Sequence, residues 1–136
     1  MLPSEIEKGV PEVDVLRELI PLLSGAVVVG HNIEFDGLML DAALRRHYEV
    51  RFLNQMIDCG AMAMNELIPF HRVGYARQHT PTLEDICAHL VLPLHDRHTA
   101  EGDAFIAAEL FLLLSGRMYR RIGRPLRLRD YPVFRL

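Results

Sequence analysis

VVVGHNIEFD, residues 27–36, sets a run of β-branched residues against a glycine and then opens an apolar pattern of helical period. Three valines in a row read as a buried strand, and Gly30 ends it. The chain then turns through His31 and Asn32 into a helix over about 35–47, with Phe35, Leu38, Met39 and Ala42 on one face. Working outward, residues 11–23 form a helix with Leu16, Leu19, Ile20 and Leu23 aligned, stopped by Ser24 and Gly25. Residues 55–58 form a weaker strand and 60–67 a helix, and 69–81 read as a loop. Thr82 with Asp85 three residues on marks a helix start, running to about Leu90. A long helix follows over about 99–116, with Ala107, Leu110, Phe111 and Leu114 inward. Strands alternating with helices predict an α/β domain with a mixed or parallel sheet.

The 136 residues, half of them hydrophobic, suit one domain with a sizeable core. No basic start leads into an apolar run at the N-terminus and no apolar run is long enough to cross a bilayer, so the expected location is cytoplasmic, with no membrane partner. Cys59 and Cys87 lack neighbours at metal-finger spacing and are expected to be reduced, partly buried side chains. His71, His79, His89 and His95 match no zinc pattern and read as surface or loop residues, and Met56, Met62 and Met64 as core filler. Charge is uneven. From Arg117 onward there are seven arginines and one acid, a balance of +6, which leaves −9 on the rest of a chain whose net charge is −3. The arginine-rich tail, 117–136, is separated on this ground from a body of residues 1–116. It reads either as a surface for phosphates or an acidic partner, or as a solvated end. Arg117, Arg120, Arg121 and Arg124 would form one stripe if helical, and Pro125 would end it.

Two constellations carry chemistry. Asp36 falls in the first helical turn after the strand that ends at Gly30, where ligands of open α/β sheets usually sit. It shares its side with Leu40, Ala43 and Leu44; taken alone, it is accounted for by the helix dipole. The second is HDRHTAEGDA, residues 95–104. Here Asp103 lies at the head of the stripe Ala107, Leu110, Leu114, and a carboxylate aimed along a core face needs a partner. A divalent metal is one such partner, with His98 placed to take a proton from a metal-bound water. Small Ala100 and Gly102 leave room for a ligand. The plainer reading has Thr99 as cap, Glu101 favoured by the dipole and Asp103 paired with an arginine.

Together, G-H-N-x-x-F-D and H-x-A-x-x-D-A resemble the DEDD exonucleases, and more narrowly the DEDDh branch that includes proofreading subunits of bacterial replicative polymerases. The resemblance runs from about Pro11 to Leu114, with Met56-Ile-Asp-Cys59 loosely matching an intervening strand. Thr99 stands where the tyrosine branch has its tyrosine, which favours the histidine branch. The resemblance implies a ribonuclease H-like fold and 3′–5′ hydrolysis of nucleic-acid phosphodiesters with two divalent metal ions, Mg2+ or Mn2+. It makes Asp36 and Asp103 the metal-site aspartates and His98 the general base. It also implies a single-stranded 3′ end as substrate, DNA in preference to RNA, with His31, Asn32 and Phe35 as scaffold and candidate substrate contacts.

The family's first motif, an Asp-x-Glu pair on its first strand, has only a faint echo in Glu5-Ile6-Glu7. The expected fold is therefore N-terminally incomplete. Three accounts follow: a fragment of a complete exonuclease, which is favoured; a degenerate module that binds nucleic acid or protein without cutting; or complementation by a partner chain or second copy that supplies strands and acids. Each predicts weak or no hydrolysis by this chain alone, because two carboxylates and a histidine offer little charge to two divalent ions.

Overall fold

Alternation within three short apolar runs builds the sheet. The computed structural model describes residues 9–71 and 80–136. In chain order these form α1 (Glu12–Leu23), β1 (Val28–Gly30), α2 (Ile33–Tyr48), β2 (Met56–Asp58), α3 (Cys59–Glu66), a 3-10 turn (Ile68–Phe70), α4 (Leu83–Leu90), α5 (Ala100–Ile122), a second 3-10 turn (Leu128–Asp130) and β3 (Val133–Phe134). Strand order is β1-β2-β3, with β1 parallel to β2 and β3 antiparallel to it. The sheet is mixed, as expected.

Successive strand residues point to opposite faces. Val28, Met56 and Phe134, which are register partners, pack with Leu16, Ile33, Ala43, Leu44 and Phe52 under α1 and α2. Val29, Ile57 and Val133 pack on the other face with the larger cluster from α3, α4 and α5, including Met62, Ile86, Leu110 and Leu114. The sheet is thus sandwiched between two helical layers, each with its own core. Cys59 and Cys87 are free and fully buried rather than partly so, and burial pushes the Cys59 thiol up to about 12. Among the described residues no helix is long and apolar enough to cross a membrane.

Four expectations need correction. The stripe Phe35, Leu38, Met39 and Ala42 faces solvent, and α2 buries Ile33, Gly37, Asp41, Ala43 and Leu44 instead. Gly37 explains the choice: a Cβ there would lie 2.8 Å from Met56 Sδ, so only this face approaches the sheet so closely. The last helix runs through residue 116 to Ile122, where Gly123 caps it with φ 76°. The end of the chain is not simply solvated. Tyr131 stacks on Phe111 and donates to Ser115 Oγ at 3.0 Å, and β3 closes the sheet on β2. Finally, Gly102 leaves no room for a ligand. It is buried against the Asp96 backbone, and a Cβ would come within 2.2 Å of the Asp96 carbonyl oxygen. The echo Glu5-Ile6-Glu7, His79 and most of the 69–81 loop lie outside the described residues.

Candidate active site at the end of β1

Asn32 makes the turn out of β1 by adopting the left-handed region, φ 53° and ψ 35°, which Asn tolerates better than most residues. That turn is fastened from three directions. Asp58, buried at the end of β2 and in register with Gly30, accepts the Ile33 N–H at 3.1 Å and the Gly60 N–H at 2.7 Å. One carboxylate thus caps α3 and anchors the start of α2. His31 Nε2 donates to the Pro81 carbonyl at 2.8 Å, and Thr80 Oγ1 donates to Asn32 Oδ1 at 3.1 Å. These contacts tie the first constellation to the entry of α4. They give His31 and Asn32 a scaffolding part.

The fastened turn borders a cleft of about 610 Å³. All of β1 lines it, joined by Asp36 and Leu40 from α2, Glu84 from α4, Arg97, and Ala100 and Asp103 from α5. Asp36 and Asp103, far apart in sequence, therefore face the same space. Phe35 beside it is 67% exposed. Among the described residues β1 pairs only with β2, so the cleft extends along a strand that has one hydrogen-bonded neighbour.

At the head of α5, Thr99 accepts the Gly102 N–H at 3.0 Å and donates to the Asp96 carbonyl at 2.6 Å. Both Asp96 and His98 sit in the left-handed region, with φ 46° and 68°. Two non-glycine residues in this conformation within three positions mark a strained turn, of the kind that clusters at functional sites. His98 is exposed and does not line the cleft, although its backbone helps hold Asp103 ionised. Between them, Arg97 reaches inward. Its guanidinium pairs with Asp103 through Nη1 and with Glu84 through Nη2, and its Nε donates to Glu84 Oε1 at 3.0 Å. The Arg97 hydrogen bond is the main reason that the Asp103 carboxyl lies below the usual range. Glu84 is lowered first by its own backbone N–H and then by Arg97.

The divalent ions that the resemblance implies would need several converging oxygen or nitrogen donors. Among the described residues no three His, Cys, Asp or Glu side chains converge to hold a metal ion. Of the three acids bordering the cleft, Asp103 and Glu84 are already engaged by a cation, Arg97. As arranged, these residues do not fit two ions.

Residues 3–111 match the family model described as exonuclease, of the RNase T type. The chain belongs to this exonuclease family. Its mixed sheet between helices accords with the ribonuclease H-like fold of the family. A relative is the DNA polymerase III subunit epsilon of Treponema pallidum, 29% identical over 98 residues. That alignment covers 72% of this chain and 43% of the relative, so the chain spans less than half the length of the curated protein it matches. No solved structure gives a significant match. In this exonuclease-family chain, sequence reasoning left three participants unassigned. Asp58 had a usable signal, an acid closing a strand just before a glycine. Glu84 reads only as a helix-start acid, and Arg97 reads only as one of the arginines available to Asp103.

Proposed function

We propose that this chain carries the second half of a DEDDh-type active site and serves 3′–5′ removal of nucleotides from a single-stranded nucleic-acid end, DNA in preference to RNA, in the cytoplasm. The observation that carries the reading is that Asp36 and Asp103 line one cleft at the carboxyl end of β1 in a chain of the exonuclease family. Asp36 and Asp103, joined by further acids, would hold the divalent ions that offset the phosphate's charge, and His98, which lies outside the cleft as it stands, would take the proton from the attacking water. Exposed Phe35 offers an apolar ring to the terminal base. Mg2+ or Mn2+ belongs to the reading as a family property. Since the donor set does not fit two ions as it stands, the remaining acids and strands come from further polypeptide, a partner chain or a second copy, placed along β1. The one-sided pairing of β1 and the cleft beside it favour that location.

A second reading is a module on the same scaffold that binds nucleic acid without cutting; the engagement of Asp103 by Arg97 favours it. A nuclease assay with Mn2+ on 3′-labelled single-stranded DNA and RNA separates the two. Release of mononucleotides that Asp103→Ala abolishes supports the enzyme. Binding that weakens steeply with salt, without cleavage, supports the module. Absence of both removes the nucleic-acid reading altogether.

A further inference from the structure

We propose that the outer face of α5 pairs with α5 of a second copy of this chain, the two helices running antiparallel. Helix α5 is apolar on two opposite sides. Its inner side buries Ile106, Leu110, Leu114 and Met118 in the larger core. Its outer side carries Phe105, Leu112 and Tyr119 at intervals of seven residues, with the small Ala108 and Ser115 between them. The three large side chains are 56%, 69% and 53% exposed. Residues at steps of three and four along one face form the seam by which helices pair, and a helix that is apolar all round is ordinarily covered all round. None of these five residues lines the cleft beside β1, so the seam is separate from the open edge of that strand.

Shape and charge both select a second copy as the occupant. With a two-fold axis midway between Ala108 and Leu112, Leu112 of each copy lies over Ala108 of the other and Phe105 lies over Ser115, so every large side chain of the centre meets a small one. The same register sets Glu101, in the exposed first turn of one helix, beside Tyr119 and Arg120 in the last turns of the other. The acidic end of each helix thus meets the basic end of its mate, which complements the helix dipoles as well. A parallel pair would instead place Glu101 against Glu101 and Arg120 against Arg120, which repel.

Sedimentation equilibrium of the full chain up to about 100 µM tests this, since one helix pair is a small interface and micromolar association is expected. The wild type should approach twice the 15.5 kDa mass of the chain as its concentration rises. Leu112→Glu, at an exposed position, is expected to weaken the dimer at least about ten-fold while its circular dichroism and Tm in dilute solution match the wild type. Glu101→Arg should weaken it about five-fold, and Glu101→Arg combined with Arg120→Glu should restore it. Should Leu112→Glu fail to fold, oxidative cross-linking reads the register instead. A mixture of Ala108→Cys and Leu112→Cys chains should form mainly the mixed disulfide, with the fully buried Cys59 and Cys87 taking no part. A monomer at every concentration overturns the inference. So does a dimer indifferent to Leu112→Glu, which places the contact elsewhere on the molecule. Cross-linking of each cysteine variant mainly to itself overturns it too, since that is the parallel arrangement.

Discussion

A single carboxylate, Asp58, holds together the two elements on which the first constellation depends. It is 9% exposed, and its oxygens satisfy the Ile33 and Gly60 N–H groups, donors at helix starts that have no intrahelical acceptor. Removing it strands both in the interior, where an unsatisfied donor costs about 1–3 kcal/mol. Asp58→Ala should therefore lower stability by about 2–4 kcal/mol in urea unfolding, with Asp58→Asn losing less because one acceptor survives. A loss under about 0.5 kcal/mol for Asp58→Ala would remove its anchoring part, since that is the range of an ordinary surface change. The same residue shows how far reading by type can go. An acid at a strand end is visible in the sequence, but the helix start that it reaches, 25 positions away, is not.

The head of α5 concentrates the element-scale constraints. Gly102 is a helical position where Ala would ordinarily gain about 1 kcal/mol in propensity. Here a Cβ would press on the Asp96 carbonyl at 2.2 Å and the Thr99 hydroxyl at 2.8 Å, the groups that shape the turn. Gly102→Ala is expected to destabilise by about 1–3 kcal/mol despite the propensity gain, and to release the Arg97 pairings. Guanidine denaturation and the Arg97 Nε–H resonance would report the two effects; a stabilised variant would mean that the turn yields freely. What was legible at this scale followed local rules. Thr82 accepts the Asp85 N–H at 3.1 Å and Thr99 the Gly102 N–H, so both caps could be read from neighbouring residues. The face of α2 could not, because apolar and charged residues are mixed around that helix, with Asp41 on the buried side, and the close approach of Gly37 to Met56 decides its orientation. Two-residue β3, inside an arginine-rich stretch, has no pattern of its own; pairing with β2 creates it. The cleft was legible as two separate acids and illegible as a charge arrangement, since Arg97 acquires its meaning from Glu84 on another helix.

Across the molecule, ion pairs bridge elements that already pack together within one of the two cores. Glu12 of α1 meets Arg46 and His47 of α2, and Glu66 of α3 meets Arg121 of α5. Arg97 joins α4 to α5, and Arg124 holds Asp130 in the final segment. The basic end is thereby partly neutralised within the chain, which reduces what its excess charge offers to an external phosphate. The carboxyls of Glu12, Asp41, Glu84, Asp103 and Asp130 all lie below their ordinary values. The leading causes are the hydrogen bonds from His47, the Phe52 N–H, Glu84's own N–H, Arg97 and Arg124 respectively. An acid that is lowered in the folded state binds its proton less readily there than in the unfolded chain. Its contribution is therefore fully present above the unfolded carboxylate range of about 4, and is lost as pH falls through the folded value. Glu12, Glu84 and Asp103 are well exposed, so solvent screening keeps their shares small, whereas the Asp41 and Asp130 side chains are mostly covered; the effect is visible as the sum. The urea midpoint should therefore fall increasingly as pH drops below about 4. Asp130→Asn should flatten part of that acid limb by removing the acid held by both Arg124 and the Arg127 N–H. A midpoint constant down to about pH 3 would show that these pairs do not couple proton binding to the fold.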